Sequence, residues 1–517
     1  MNDQEFRTMN ENEFDSLLIQ NLSEIPPDDI VNDVTPWKQA MDKIIAGIAL
    51  STITFRFFCL DYILPVIGIV AMFLGFRALK KENSWFCLGF IATIVRMVCL
   101  FPVLIVNATI FQNRFTTSVL APVLTGFNIL FALITFYSLW QAIRIVQQKA
   151  NVEPHAESAT ALIVWYIMVC ALGIIKIDGM IIVGGILIVY FFIIRSLIQL
   201  SKELDETGYL VQPSEVRFSD SGVIKGITGV LLIGILCGYM FFDSYSMEWK
   251  VKEIALDEEA KEIAEIKENL TSLGFPKEIL EDMSDEDVLN YKEAKQVVVD
   301  VNEYPFNDGR EVEESYQGER WITTVYDVKE LKVTDIAVEL ADNKTWIFFH
   351  HFLWQEEPKI FGISGFHGTE SIQIWPVYYN NNDGWSRDGN VSGQLLYDKD
   401  NEPYVADYYY LGEKSYTSND VFFGARTSND LFAAFSLPND GEKQRGYIMY
   451  QAQEIEEGWA ISSWFNYTHQ EHFFQYPVMT AMELRMANSW NDAGAFMTVQ
   501  DTFQFYVTDE GVEMVGE

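Results

Sequence analysis

Five of the six histidines lie in the C-terminal half: His350, His351, His367, His469 and His472. His469 and His472 have the spacing of two metal ligands that still need a third to converge on them. Between them stand Gln470 and Glu471, which is not the HExxH order of zinc peptidases. Spacing alone leaves metal binding open. His350 and His351 are adjacent in a strand-like run, so they face opposite ways and share no site. The stretch holding Trp375, Tyr378, Tyr379, Asn382, Asp383, Trp385 and Asp388 sets oxygen ligands beside aromatic faces. That mixture suits a stacked sugar or a calcium ion, although calcium needs six to eight oxygens and this spacing is not that of an EF-hand. The plain alternative is a polar turn over a β core. Gly362-Ile363-Ser364-Gly365 misses the GxSxG nucleophile pattern by one position. The sequence contains no phosphate loop, no dinucleotide fingerprint and no Ser/His/Asp order that could be defended. The expectation is a non-enzymatic protein without a cofactor.

The other candidates are ionisable residues inside apolar runs, which are costly there and mark function by default. Arg96 lies near the middle of one such run, while Arg56 and Asp61 sit nearer an end and could pair locally. For Arg96 the alternatives are a buried structural bond within the bundle or a place on a substrate or ion pathway. The runs themselves lie near Ile44–Leu60, Ile63–Leu79, Trp85–Val106, Val119–Ile145, Thr160–Ile175, Met180–Leu200 and Val223–Phe242. Each approaches the roughly 20 residues that cross a bilayer core. Lys38, Lys43, Arg77, Lys80, Lys81, Arg144, Lys149, Arg195 and Lys202 fall on alternate sides of these runs. The positive-inside bias then places the N-terminus in the cytoplasm and the C-terminus outside. The first pair of spans is the weak point, because Asp61-Tyr62 would have to make a very tight outer turn. Gly184, Gly185, Gly226, Gly229, Gly234 and Gly238 offer small residues for close helix packing.

Charge divides the 517 residues sharply. Residues 1–36 carry nine acids and one base, 37–242 eleven acids and fifteen bases, and 243–517 fifty-three acids and twenty bases. The local net charges are −8, +4 and −33, within a total of −37. A C-terminal part this acidic repels nucleic acid and anionic lipid, because phosphate contacts need Lys/Arg patches. All five cysteines lie in the apolar block, so the acidic part folds without disulfides and is large enough to do so. Within residues 1–36, Phe14, Leu17 and Leu18 could share one helix face and dock on a cytoplasmic partner, or the segment is a plain leader. Thr35-Pro36-Trp37 reads as the start of the first helix, with Thr35 as its N-cap.

Residues 243–295 are helical by pattern and charged, as a stalk would be, with Gly274 as a C-cap and Ser284 as an N-cap. From about residue 296, short runs rich in Val, Ile, Tyr, Phe, Trp and Thr alternate with turns such as Asp342-Asn343 and Asn439-Asp440-Gly441. The fold class expected is therefore a multi-domain membrane protein. An all-α bundle of about seven spans (37–242) is followed by a helical stalk (243–295) and an extracytoplasmic antiparallel β-sandwich (296–517).

Ile25-Pro26-Pro27-Asp28-Asp29-Ile30-Val31 through Trp37, Asp61-Tyr62-Ile63-Leu64-Pro65, Leu74-Gly75-Phe76-Arg77-Ala78-Leu79 and Leu273-Gly274-Phe275-Pro276 with Asp282-Met283-Ser284-Asp285-Glu286-Asp287-Val288 form a set. They resemble segments of uncharacterised multi-span membrane proteins of clostridial Gram-positive bacteria. The resemblance covers about a fifth of the chain, implies a bacterial cell membrane, and carries no activity or site residue. The leading functional expectation is a membrane sensor or regulator with a protein partner at the tail or at the β domain. A transporter or transport-complex subunit, and a surface-binding module on an anchor, are the alternatives.

Overall fold

The computed structural model describes residues 35–54, 58–175, 179–212, 214–252, 259–307, 309–316, 319–356, 359–360, 363–364, 368–376, 384–420, 424–456, 458–472, 474–487, 495–508 and 511–515. Phe14, Leu17, Leu18, Arg56, His367, Tyr378, Tyr379, Asn382 and Asp383 lie outside them. The chain forms two compact units. One holds the chain up to Ile105 and Arg114–Ile235, and the other holds Val106–Asn113 and Leu236 onward.

The first unit is helical: α1 Pro36–Thr52, α2 Leu60–Leu79, α3 Ser84–Val106, α4 Leu120–Lys149, α5 Glu157–Ile175, α6 Met180–Glu206 and α7 Asp220–Phe241. Thr35 caps α1 by accepting the Lys38 N–H, with Pro36 at the first position. Among the described residues six helices, α2 to α7, are long and apolar enough to cross a membrane, where seven spans were expected. The difference is α1. Its 17 residues reach about 25 Å at 1.5 Å per residue, at the lower end of the roughly 17–25 residues that cross a bilayer core. Asp61 is not in a turn but in the first turn of α2, where an acid complements the helix dipole. The reversal lies before it, with Phe58 and Cys59 both at left-handed φ.

Helices α1 and α2 pack antiparallel with their backbones nearly touching. A Cβ on Gly47 would lie 2.5 Å from the Gly68 carbonyl oxygen, and one on Gly75 would lie 2.5 Å from that of Ala40. Gly89 meets the Phe76 ring in the same way. Of the glycines singled out from sequence, only Gly234 and Gly238 make close approaches. Gly184, Gly185, Gly226 and Gly229 face open space. Ile44, Ile48, Ile69, Met72, Phe76, Phe136, Leu139 and Leu197 fill the core of this unit. Large apolar side chains such as Val98, Ile174, Met180, Phe191 and Leu232 stand exposed, as an apolar solvent permits.

Polar groups gather at one end of this unit. Asp220 pairs with both Lys43 and Arg77. Trp37 is buried and donates from Nε1 to the Ser201 carbonyl at 3.0 Å. Buried Glu82 accepts from Lys149 Nζ at 2.7 Å, from Tyr209 Oη at 3.0 Å and from the Gln212 N–H at 2.8 Å. It thereby ties the α2–α3 turn to the end of α4 and to the chain after α6. Glu82→Gln keeps the shape but removes the charge. It should lower unfolding stability by about 1–3 kcal/mol, read as a fall in thermal midpoint that Asp61→Asn does not reproduce.

The second unit is built on two antiparallel sheets. The strands are β1 Lys250–Val251, β2 Ala294–Tyr304, β3 Leu331–Leu340, β4 Thr345–Trp354, β5 Glu370–Trp375, β6 Trp385–Lys399, β7 Glu402–Ala406, β8 Tyr410–Asp420, β9 Gly424–Phe435, β10 Glu442–Glu454, β11 Ile461–Gln470, β12 Phe496–Thr508 and β13 Gly511–Met514. The seven-stranded sheet runs β1-β7-β6-β10-β4-β3-β2 and the six-stranded sheet β8-β9-β5-β11-β12-β13. Trp346, Phe348 and Phe352 of the first share a core with Ile372, Ile374, Phe465, Phe503 and Phe505 of the second. Asp342-Asn343 makes the β3–β4 hairpin, with Asn343 left-handed and Asp342 Oδ1 accepting two backbone N–H groups.

Residues 243–295 contain helices α8 Glu259–Ser272, α9 Lys277–Asp282 and α10 Asp285–Leu289. They do not stand alone as a spacer. Ile263, Ile266, Leu270, Phe275, Leu280 and Val288 pack onto Ile336, Val338, Ile347, Phe349 and Met449 on the other face of the seven-stranded sheet. Strands β3 and β4 are therefore covered on both sides, which explains why nearly every residue of both is buried. Gly274 at φ +103 and Ser284, accepting from Asp287 N–H, take the capping roles expected of them.

Candidate functional site

Arg96 is the polar centre of the helical unit. It stands near the middle of α3, is 4% exposed, and donates from Nε to Asn128 Oδ1 of α4 at 3.1 Å. Tyr166 of α5 is its electrostatic neighbour. Nη1 is buried without a hydrogen bond. The sequence pointed to Arg96 but not to these partners. An asparagine within the apolar run Val119–Ile145 was the available signal.

In the β unit a row of polar side chains crosses the space between the sheets. Asp335 on β3 accepts from His350 on β4, Oδ1 to Nδ1 at 2.7 Å. His350 Nε2 lies 2.9 Å from Ser463 Oγ on β11, and Tyr450 on β10 donates to that oxygen at 2.8 Å. This is the connectivity of an acid–base–nucleophile triad. Its setting is closed to solvent. Ser463 is 0% exposed, and His350 lies stacked between Tyr450 and Phe465. A nucleophile needs a reacting carbon within about 3 Å and donors for the developing oxyanion. The row works as a set of buried polar groups that bond to one another, with Asp335 Oδ2 left over.

The row continues toward β2 and β12. Asn302 donates to Asp300 and Asp501, both at 3.1 Å. Burial, and after it the charge of Asp335, pushes the Asp501 carboxyl up to about 7. Burial and then Asp501 push the Tyr304 hydroxyl well above its ordinary value. Asp335 Oδ2 is buried without a partner. The sequence reading missed this row, because Asp335, His350, Ser463 and Asp501 come together only through strand pairing.

On the far face of β4, His351 Nε2 lies 3.1 Å from Asp282 Oδ2, and Arg445 Nε donates to Asp282 Oδ1 at 2.8 Å. Burial alone would raise the Asp282 carboxyl, but His351 and Arg445 outweigh it and hold it below its usual range. The two adjacent histidines thus serve separate networks, as their alternation requires. His469 turns inward to Glu370, Nδ1 to Oε1 at 2.7 Å, whereas His472 is exposed. No cluster able to hold a metal is found among the described residues.

The aromatic stretch is divided by the fold. Trp385 on β6 of the seven-stranded sheet is 2% exposed and donates from Nε1 to the Trp459 carbonyl at 3.2 Å, so it is a core residue. Trp375 on β5 of the six-stranded sheet lies beside Trp464, with ring centroids 5.5 Å apart. The backbone of Asp388 sits on β6 opposite Gln451.

No protein family and no curated protein matches the chain. Among solved structures, a pore forming protein aligns with 38% of this chain and 95% of its own at 8% identity and a TM-score of 0.17. The KRT10-binding region domain of the pneumococcal serine-rich repeat protein PsrP aligns with 40% of this chain and 99% of its own, at 10% identity and a TM-score of 0.16. Likenesses this weak assign neither fold nor function.

Proposed function

We propose that the protein is a non-enzymatic sensor or regulator of a bacterial cell membrane. Its β domain, on the extracytoplasmic side, binds a ligand or an envelope partner. Its helices relay that state to a partner at the cytoplasmic tail. One observation carries the reading. The second unit is tied to more than one point of the chain that leads into the helices. The Val478 N–H donates to the Asn107 carbonyl at 2.7 Å, the Ile110 N–H to the Phe242 carbonyl at 2.9 Å, and the Tyr239 hydroxyl to the Gln475 carbonyl. Asn107 and Ile110 follow α3, while Tyr239 and Phe242 lie at the end of α7. A displacement of the 475–478 segment is thus delivered to two helix ends, where a passive anchor needs only one tether. Side placement rests on the Lys/Arg bias and on α1, antiparallel to α2, as a seventh crossing, since six crossings would return the β domain to the side of the tail.

The test is affinity purification from native membranes of the intact chain and of a version lacking residues 1–36, with partners identified by mass spectrometry. A cytoplasmic protein recovered with the intact chain and lost with the truncated one is expected. Partners that persist after truncation and belong only to the envelope or to a transport complex would overturn the relay. The second reading, a transporter or its subunit, draws on the buried guanidinium of Arg96.

A further inference from the structure

Among the described residues, Arg96 has no carboxylate partner to balance its charge. A guanidinium keeps its proton at physiological pH, and an isolated buried charge is strongly unfavourable unless it is paired. The described carboxylates of α2 to α7 are Asp61, Glu157, Glu203, Asp205, Glu206 and Asp220, all at or near helix ends. Arg96 is about 18 Å along α3 at 1.5 Å per residue, and none of those carboxylates pairs with it. At 4% exposure it is turned away from lipid, so neither a head group nor an acid on a neighbouring membrane protein reaches it.

The groups around Arg96 are donors. Nη1 carries a free N–H in a buried position. Asn128 already uses its amide oxygen on Arg96 Nε, which leaves its NH₂ to donate. The Tyr166 side chain of α5 packs edge-on against Phe136, and its hydroxyl bonds to the Cys170 thiol one turn on, a weak partner that an anion would displace. One positive charge, the free Arg96 N–H and the Asn128 amide, with the Tyr166 hydroxyl in exchange for its Cys170 bond, fit an anion that is small and singly charged in this enclosed position. Sulfate and phosphate bring more charge and more acceptor atoms than this set can satisfy.

We propose that Arg96, the Asn128 amide and the Tyr166 hydroxyl form a binding site for a small inorganic anion of the halide class inside the helical unit. The inference goes beyond the sensor reading and does not depend on it. Bound anion neutralises Arg96 and bridges α3, α4 and α5, so occupancy stabilises the unit by mass action.

The experiment uses the full chain in lipid nanodiscs and radiolabelled chloride as the probe. The native protein should bind chloride saturably, one ion per chain. Its thermal midpoint should rise with chloride when gluconate is the replacement at constant ionic strength. Arg96→Met should abolish both effects, and Tyr166→Phe and Asn128→Leu should each weaken binding roughly tenfold, the loss of one hydrogen bond to a charged group. The two milder variants serve if Arg96→Met does not fold. Absence of saturable chloride binding to the native protein would overturn the proposal, as would binding that survives all three substitutions.

Discussion

Gly68→Leu should prevent the helical unit from assembling. A Cβ at that position would lie 2.6 Å from the Gly47 carbonyl oxygen, 2.7 Å from the Ser51 nitrogen and 2.8 Å from Ser51 Cβ. Two of these three are backbone atoms of a regular helix and cannot rotate aside. The helices must then part, and with them the contacts of Ile44, Ile48, Ile69 and Met72 in the shared core. Overpacking of ordinary core sites costs about 1–3 kcal/mol. Separating a backbone-on-backbone hairpin should exceed that, at more than about 4 kcal/mol, the range reserved for severe core lesions. The measurement is size-exclusion behaviour and thermal midpoint in one detergent, beside Gly184→Leu, whose Cβ meets nothing within 4 Å. The control should be native-like, because leucine is a better helix former than glycine. A Gly68→Leu protein as stable as the control would mean that α1 and α2 do not pack as described.

That pair of glycines shows where sequence reading stops. An apolar helix in a membrane protein is recognisable from its composition, and so were six of these. Which glycine meets a neighbouring backbone depends on helix pairing, which local composition does not encode. Gly184-Gly185 looked the better candidate, yet Gly47, Gly68 and Gly75 make the contact. The same limit applies to α8 to α10. Their charged faces and caps were legible at Gly274 and Ser284, but their attachment to β3 and β4 was not. A strand covered on both faces reads as a continuous apolar run whatever covers it. The turn at Asp342-Asn343 was legible because its cause is local, a side chain that accepts neighbouring N–H groups.

The polar row between the sheets lies beyond that limit too. Asp335 and His350 are joined by one hairpin, but Ser463 and Asp501 come from distant strands whose register is set by pairing. Aspartates are plentiful in a chain with 73 acidic residues, so abundance hid Asp335 and Asp501. Trp385 failed in the opposite direction. It stood in a polar stretch and looked exposed, whereas the strand it opens carries it into the core.

The buried carboxyls lead to an expected pH dependence. In the folded chain Asp501 holds its proton up to about 7, against an ordinary 3.8. Burial is the first cause and the Asp335 charge the second, with Asp300 adding to it. The groups facing it are Asp300, Asn302 and Tyr304 on β2 and Asp335 on β3, the last carrying His350 behind it. Below about pH 4 both folded and unfolded chains are protonated at Asp501, and its contribution to stability is fully present. Between about pH 4 and 7 the unfolded chain releases the proton and the folded chain keeps it. Unfolding is then favoured as pH rises, by about 1.4 kcal/mol per unit. The loss reaches roughly 4 kcal/mol by pH 8 and then levels off. Asp501→Asn keeps the shape and cannot ionise, so it should equal the native protein near pH 4 and exceed it at pH 8. Other groups titrate in both proteins, which makes the difference between the two profiles the informative quantity. That difference should grow through pH 5–7 in thermal midpoints of the full chain. A flat difference would mean that Asp501 ionises normally in the fold, and that the polar row between the sheets is wetter than its enclosure implies.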